Sequence, residues 1–126
     1  MTHPTHLEPL RAYLLTQTGA VEETPFGPEA LVFKVMGKMF ALIAWQASPL
    51  RITLKCDPEL ALTLREQYDA VQPGYHMSKK HWNTITLDGS IPDGEVLGLI
   101  DASYKLVVKG LKKTDRQKLE QSQHSG

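Results

Sequence analysis

Residues 31–45 carry the pattern that most restricts how this chain can fold. Leu31, Phe33 and Val35 alternate with Val32 and Lys34, Met36-Gly37 follows, and residues 38–45 resume the alternation. A period of two sends successive side chains to opposite faces of a strand. Two such runs separated by only two residues leave no room for a crossover, so they pair as an antiparallel hairpin turning at Met36-Gly37. A third run, residues 51–56, sets Ile52, Leu54 and Cys56 on one face and Arg51, Thr53 and Lys55 on the other. That division predicts a strand with one buried and one wetted face.

The flanking segments supply helices to cover such a sheet. Leu7, Leu10, Leu14 and Leu15 recur at helical spacing over residues 5–18, and Gly19 offers a stop. Residues 21–28, with Pro25, Gly27 and Pro28, read as a short strand and a loop. Asp57-Pro58-Glu59 is a helix start: a capping oxygen, a proline with preset φ and an acid at the positive end of the dipole. The helix that follows runs to about Tyr68, with Leu60, Leu64 and Tyr68 as its expected buried stripe, and Gln72-Pro73-Gly74 reads as a turn. Residues 82–87 alternate again. Val96, Leu97, Ile100, Tyr104, Val107, Val108 and Leu111 trace one helical face ending near Gly110. With hairpins in the middle and no regular strand–helix alternation, the expected class is α+β, an antiparallel sheet packed against helices.

At 126 residues the chain is long enough for one core and too short for two. Residues 1–111 are expected to form a single domain and residues 112–126, polar and rich in Gln and Ser, a flexible C-terminal tail. Cys56 is the sole cysteine, so no internal disulfide forms, and the N-terminus lacks the basic-then-apolar pattern of a signal peptide. A cytoplasmic location is expected. Apolar runs fall far short of the roughly 20 residues that span a bilayer, so no membrane association is expected.

The most unusual chemistry lies in residues 73–87, which hold two His, two Lys, a Tyr, a Trp, an Asn and a Met. Net charge is zero, yet its distribution is uneven. Residues 31–80 carry seven cations against four carboxylates and residues 105–126 six against two, while residues 1–30 and 81–104 are acidic. A local basic patch is therefore compatible with a neutral chain. Lys79, Lys80, His76 and His81 suit phosphate contacts, and Tyr75, Trp82 and Asn83 provide stacking surface and an amide. Lys38 and Lys55, with Lys34 and Arg51, extend the positive charge onto neighbouring strands. The same residues also fit a structural role, with Tyr75 and Trp82 in the core or at its rim, Lys79 and Lys80 on a solvated turn and Asn83 satisfying nearby backbone.

Other chemistries find less support. His76 and His81, five residues apart, would sit about 140° apart on a helix, and no zinc-type Cys or His spacing is present, so no metal or other cofactor is expected. Cys56 shares the face of Ile52 and Leu54, which suits a buried thiol better than a nucleophile. No catalytic motif or phosphate-binding glycine loop is present, and a non-enzymatic role is expected. The alternative is a small-molecule or protein-interaction module with a pocket near Tyr75 and Trp82.

Three ordered blocks carry a family resemblance: F-G-P-E-A-L-V-F-K-V with G-K-M-F-A-L at residues 26–42, L-K-C-D-P-E-L-A at residues 54–61, and P-G-Y-H-M-S-K-K-H-W-N-T at residues 73–84 followed by L-D-G and I-P-D. On these the chain resembles the MmcQ/YjbR family of small bacterial proteins. The resemblance implies a CyaY-like (frataxin-like) arrangement, described in that family as a double wing, and DNA as the partner; the frataxin-like shape also raises metal binding, the less favoured alternative.

Overall fold

The computed structural model describes residues 3–25, 27–74 and 77–124. In order they form helix α1 (Leu7–Leu15), strands β1 (Ala20–Glu23), β2 (Leu31–Val35), β3 (Lys38–Ala44) and β4 (Arg51–Lys55), helix α2 (Pro58–Gln67), strands β5 (Val71–Pro73) and β6 (Trp82–Thr86), and helices α3 (Asp93–Lys109) and α4 (Lys113–His124). The strands make one sheet in the order β1-β2-β3-β4-β6-β5, with every pairing antiparallel. The α+β class is as the sequence predicts. No helix among the described residues is long and apolar enough to cross a membrane.

The hairpin turns where the alternation places it: Met36 has φ 49° and Gly37 φ 80°, the paired positive values that match the twist of the flanking strands. One face of the sheet carries Phe33, Val35, Phe40, Ile43, Ile52, Leu54 and Ile85. These form a continuous core with Leu10 and Leu14 of α1 and Val96, Ile100, Tyr104 and Val107 of α3. Asp57 caps α2, its carboxylate accepting from the Glu59 and Leu60 amides at 3.2 and 3.3 Å, a device that stabilises a helix by about 1 kcal/mol.

Between β2 and β3 the register slips: Phe33 faces Ala41 and Lys34 faces Met39, so Phe40 is an extra residue. A bulge interrupts the ladder and would strand backbone groups. Ser103 of α3, fully buried, meets that need on the side facing β4. Its hydroxyl accepts from the Lys55 amide at 2.8 Å and donates to the Phe40 carbonyl at 2.6 Å. A small hydroxyl residue in the helix's apolar stripe thus fastens α3 to the sheet.

Several expectations are corrected. Thr53 is not on a wetted face: it is buried, and its hydroxyl pairs with that of Thr84 across β4 and β6 at 2.8 Å. In α2 Leu64 is buried as expected, but its buried companion is Ala61, whereas Leu60 is 41% exposed and Tyr68 is half-buried. Residues 71–73 are the edge strand β5, not part of a turn, and Pro73, lacking an amide hydrogen, is tolerated there because an edge strand has one unpaired side. Finally, the expected flexible tail contains α4, whose Leu119 is buried against Gly19 just after α1. One apolar residue in a polar helix is enough to dock it.

Candidate nucleic-acid interface

Antiparallel pairing gathers residues far apart in sequence at one end of the sheet. β3 starts, β4 ends, β5 ends and β6 starts there, as the partners Ala41↔Leu54, Lys55↔Trp82 and Pro73↔Asn83 show. Lys38 therefore opens β3 at the same end at which Lys55 closes β4 and Lys79 and Lys80 precede β6. Lys38, Lys79 and Lys80 are exposed, and Lys55 is half-buried opposite Trp82.

Residues 78–82, leading into β6, make a single tight turn. The Ser78 carbonyl accepts from the His81 and Trp82 amides at 3.1 and 3.0 Å. The His81 carbonyl then accepts from the Cys56 amide at 2.7 Å, joining the turn to the end of β4. On its other side the Gly74 amide donates to the Trp82 carbonyl at 2.8 Å. A Cβ on Gly74 would lie 2.8 Å from that of Trp82, so this approach requires glycine.

Arg65, on the last turn of α2, anchors the arrangement. Its Nε donates to the Asn83 side-chain oxygen at 2.7 Å, and a terminal nitrogen donates to the Lys79 carbonyl and, at 3.4 Å, to that of Trp82. The Asn83 amide nitrogen donates to the Ala61 carbonyl at 3.3 Å. Arg65 and Asn83 thus tie α2, the turn and β6 together through bonds that include a charged donor, the stronger class of hydrogen bond. The clamp fixes the backbone that carries Lys79 and Lys80. Pro58, Glu59, Leu62, Arg65, Lys79 and Lys80 line a shallow cleft of about 340 Å³ between α2 and the turn.

The residues expected to meet nucleic acid therefore divide. Lys38, Lys79 and Lys80 are presented to solvent, and Lys55, His81 and Trp82 are half-buried beside them. Asn83 is corrected: at 2% exposure, with both ends of its amide engaged, it is a structural link and presents nothing to a base. Tyr75 and His76 lie outside the described residues. Arg65 was missed because an arginine near a helix C-terminus is ordinarily read as a dipole partner, and nothing in sequence spacing joins it to residue 83.

The expected pocket near Tyr75 and Trp82 involves Tyr75 and so lies outside the described residues. A cavity opens between α2, α3 and the sheet, and its walls include Leu54, Cys56, Leu64 and Ile85 but not Trp82. Burial, with the Asp57 charge second, pushes the Cys56 thiol up, opposite to the shift that activates a nucleophile.

The YjbR family model matches residues 15–106, from the end of α1 through most of α3. The chain is 37% identical over 112 residues to the YjbR protein of Escherichia coli (strain K12), covering 89% of this chain and 95% of that one. With the YbdF protein of Escherichia coli O157:H7 the identity is 41% over 95 residues, covering 75% and 78%. The crystal structure of Deinococcus radiodurans protein DR2400, with a DUF419 domain, is similar at a TM-score of 0.88 and 39% identity, covering 95% of this chain and 92% of that one. A crystal structure of a Pseudomonas syringae protein has a TM-score of 0.69 at 28% identity, covering 80% and 97%. With its sheet, its turn and most of α3 inside the matched span, and relatives at this identity over most of their length, the chain belongs to the YjbR family.

Proposed function

We propose that this protein binds nucleic acid, DNA in the first instance, through the basic end of the sheet and without a catalytic step. The observation that carries the reading is the gathering of Lys38, Lys55, Lys79 and Lys80 at one end of the sheet, from three separate segments of the chain. Phosphate contacts need cations held near one another and in register with a backbone. The Arg65 clamp supports that need by fixing the Lys79 carbonyl, so that part of the ordering cost of binding is met in the free protein. Half-buried Trp82 and His81 beside the lysines suit contact with sugar or an exposed base. Asn83 has no part in the contact, and Arg65 acts as a positioning residue.

Fluorescence anisotropy with labelled duplex and single-stranded DNA, across a salt series, tests the proposal. Affinity is expected to fall with salt, and Lys79→Ala/Lys80→Ala is expected to flatten the log–log salt slope on duplex by about 2, near 0.9 for each phosphate that is no longer neutralised. Absence of binding at low salt, or a slope unaltered in the double variant, refutes it.

A further inference from the structure

The cavity between α2 and α3 has about 300 Å³ of space, at the lower end for small-molecule sites. Its walls are apolar: Leu54, Cys56 and Ile85 from the sheet side, Leu60 and Leu64 from α2, and Leu99 and Leu106 from α3. Leu60 is left 41% exposed beside it, an apolar surface that the fold itself does not cover. The lining surface itself is almost wholly apolar, and the charged side chains bordering it are mainly cationic. Lys105 and Lys109, one turn apart on the same stripe of α3 as Leu99, Ala102 and Leu106, border the cavity at exposed positions. Neither lysine has a carboxylate within 4.0 Å among the described residues. The one acid in the lining, Asp57, is turned to the α2 amides as their cap.

An apolar chamber with exposed cations at its border complements a molecule with an alkyl body and a single anionic head. We infer that the cavity binds a free, monomeric alkyl carboxylate, its chain among the leucines and its head at Lys105 and Lys109. Dividing the cavity by the roughly 30 Å³ share of a water-sized group gives room for about ten such groups, hence a chain of about ten carbons. The site is separate from the lysine turn and does not depend on DNA binding.

Decanoate below its micelle concentration is the probe, measured by calorimetry and by the rate at which N-ethylmaleimide modifies Cys56. That residue is the sole cysteine and is buried in the cavity wall, so occupancy reports at the site itself. Decanoate is expected to bind and to slow modification at least tenfold, and octanoate to bind about tenfold more weakly for its two missing methylenes. Lys105→Glu/Lys109→Glu, at exposed positions that the fold does not need, is expected to weaken decanoate at least tenfold. Ala102→Phe, filling the chamber from α3, is expected to abolish binding. Decyltrimethylammonium binding as tightly as decanoate, the same affinity for both chain lengths, or decanoate leaving Cys56 unprotected overturns the inference. So does binding only to anionic phospholipid vesicles, which would assign the lysines to a membrane surface.

Discussion

The two flanks of α2 contrast sharply in chemistry. Toward the turn, the helix presents Arg65, with Glu59 and Leu62, to a cleft shared with Lys79 and Lys80. Toward α3 it presents Leu60 and Leu64 to an apolar cavity whose cations come from other elements. On the first flank the structure is held by directed hydrogen bonds to one guanidinium; on the second it is held by packing that stops short of filling the space. Polar clamps position a surface without burying it, whereas incomplete packing leaves room for a ligand at the expense of dispersion contacts. A single amphipathic helix can therefore border two surfaces of unlike kind.

The largest expected effect tests the packed flank. Leu64→Ala removes a side chain only 4% exposed and is expected to lower stability by about 2–5 kcal/mol, the range for large-to-alanine core changes. Because the site already borders a cavity, the lower half of that range is expected. Urea unfolding measures it, and a loss under about 1 kcal/mol would mean that Leu64 is not part of the core.

Next is the clamped flank. Arg65→Ala leaves the buried Asn83 oxygen without its donor and frees the Lys79 carbonyl, with an expected loss of about 1–3 kcal/mol. Lys79→Ala/Lys80→Ala, in contrast, is expected to stay within about 0.5 kcal/mol of the parent, as exposed substitutions do. Amide exchange at Trp82 and Cys56 should accelerate in the arginine variant and not in the lysine variant. Equal behaviour of the two would remove the distinction between a positioning residue and a contacting one.

The smallest expected effect is alkaline and belongs to the α3 side. Cys56 is raised by burial and then by Asp57, and Tyr68 by its hydrogen bond to Glu95, 2.5 Å long, and then by burial. In both cases the folded state favours the neutral form. Their contribution is therefore complete below the ordinary values of 9.0 and 10.0 and is lost as pH rises through the higher folded ones. Thermal midpoints should decline above about pH 9, and Tyr68→Phe should make the decline shallower. A decline unchanged in that variant would place its origin elsewhere.

Much of the architecture was legible because its signals are local. The alternation on either side of Met36-Gly37, the Asp57-Pro58 cap and the Val96 to Val107 stripe each act over short stretches of chain, and the structure realises all three. What was illegible depends on partners distant in sequence. Thr53 reads as solvent-facing until Thr84 is set beside it, 31 residues on, and Asn83 reads as available until Arg65 claims it from α2. The tail reads as unstructured because its composition is polar, and only the tertiary fold, with Gly19 beside it, gives Leu119 a place to be buried.

Short-range patterning was sufficient for the antiparallel class, the helix starts and the presence of a basic, aromatic turn, because periodicity and capping constrain backbone and burial within one stretch of sequence. Tertiary packing was needed to set which residues of that turn reach solvent, to bring four lysines from three segments to one end of the sheet, and to hold α2 and α3 apart over an apolar chamber. Those outcomes follow from strand register and helix rotation, which are settled by the packing of the whole core and by no single stretch of chain.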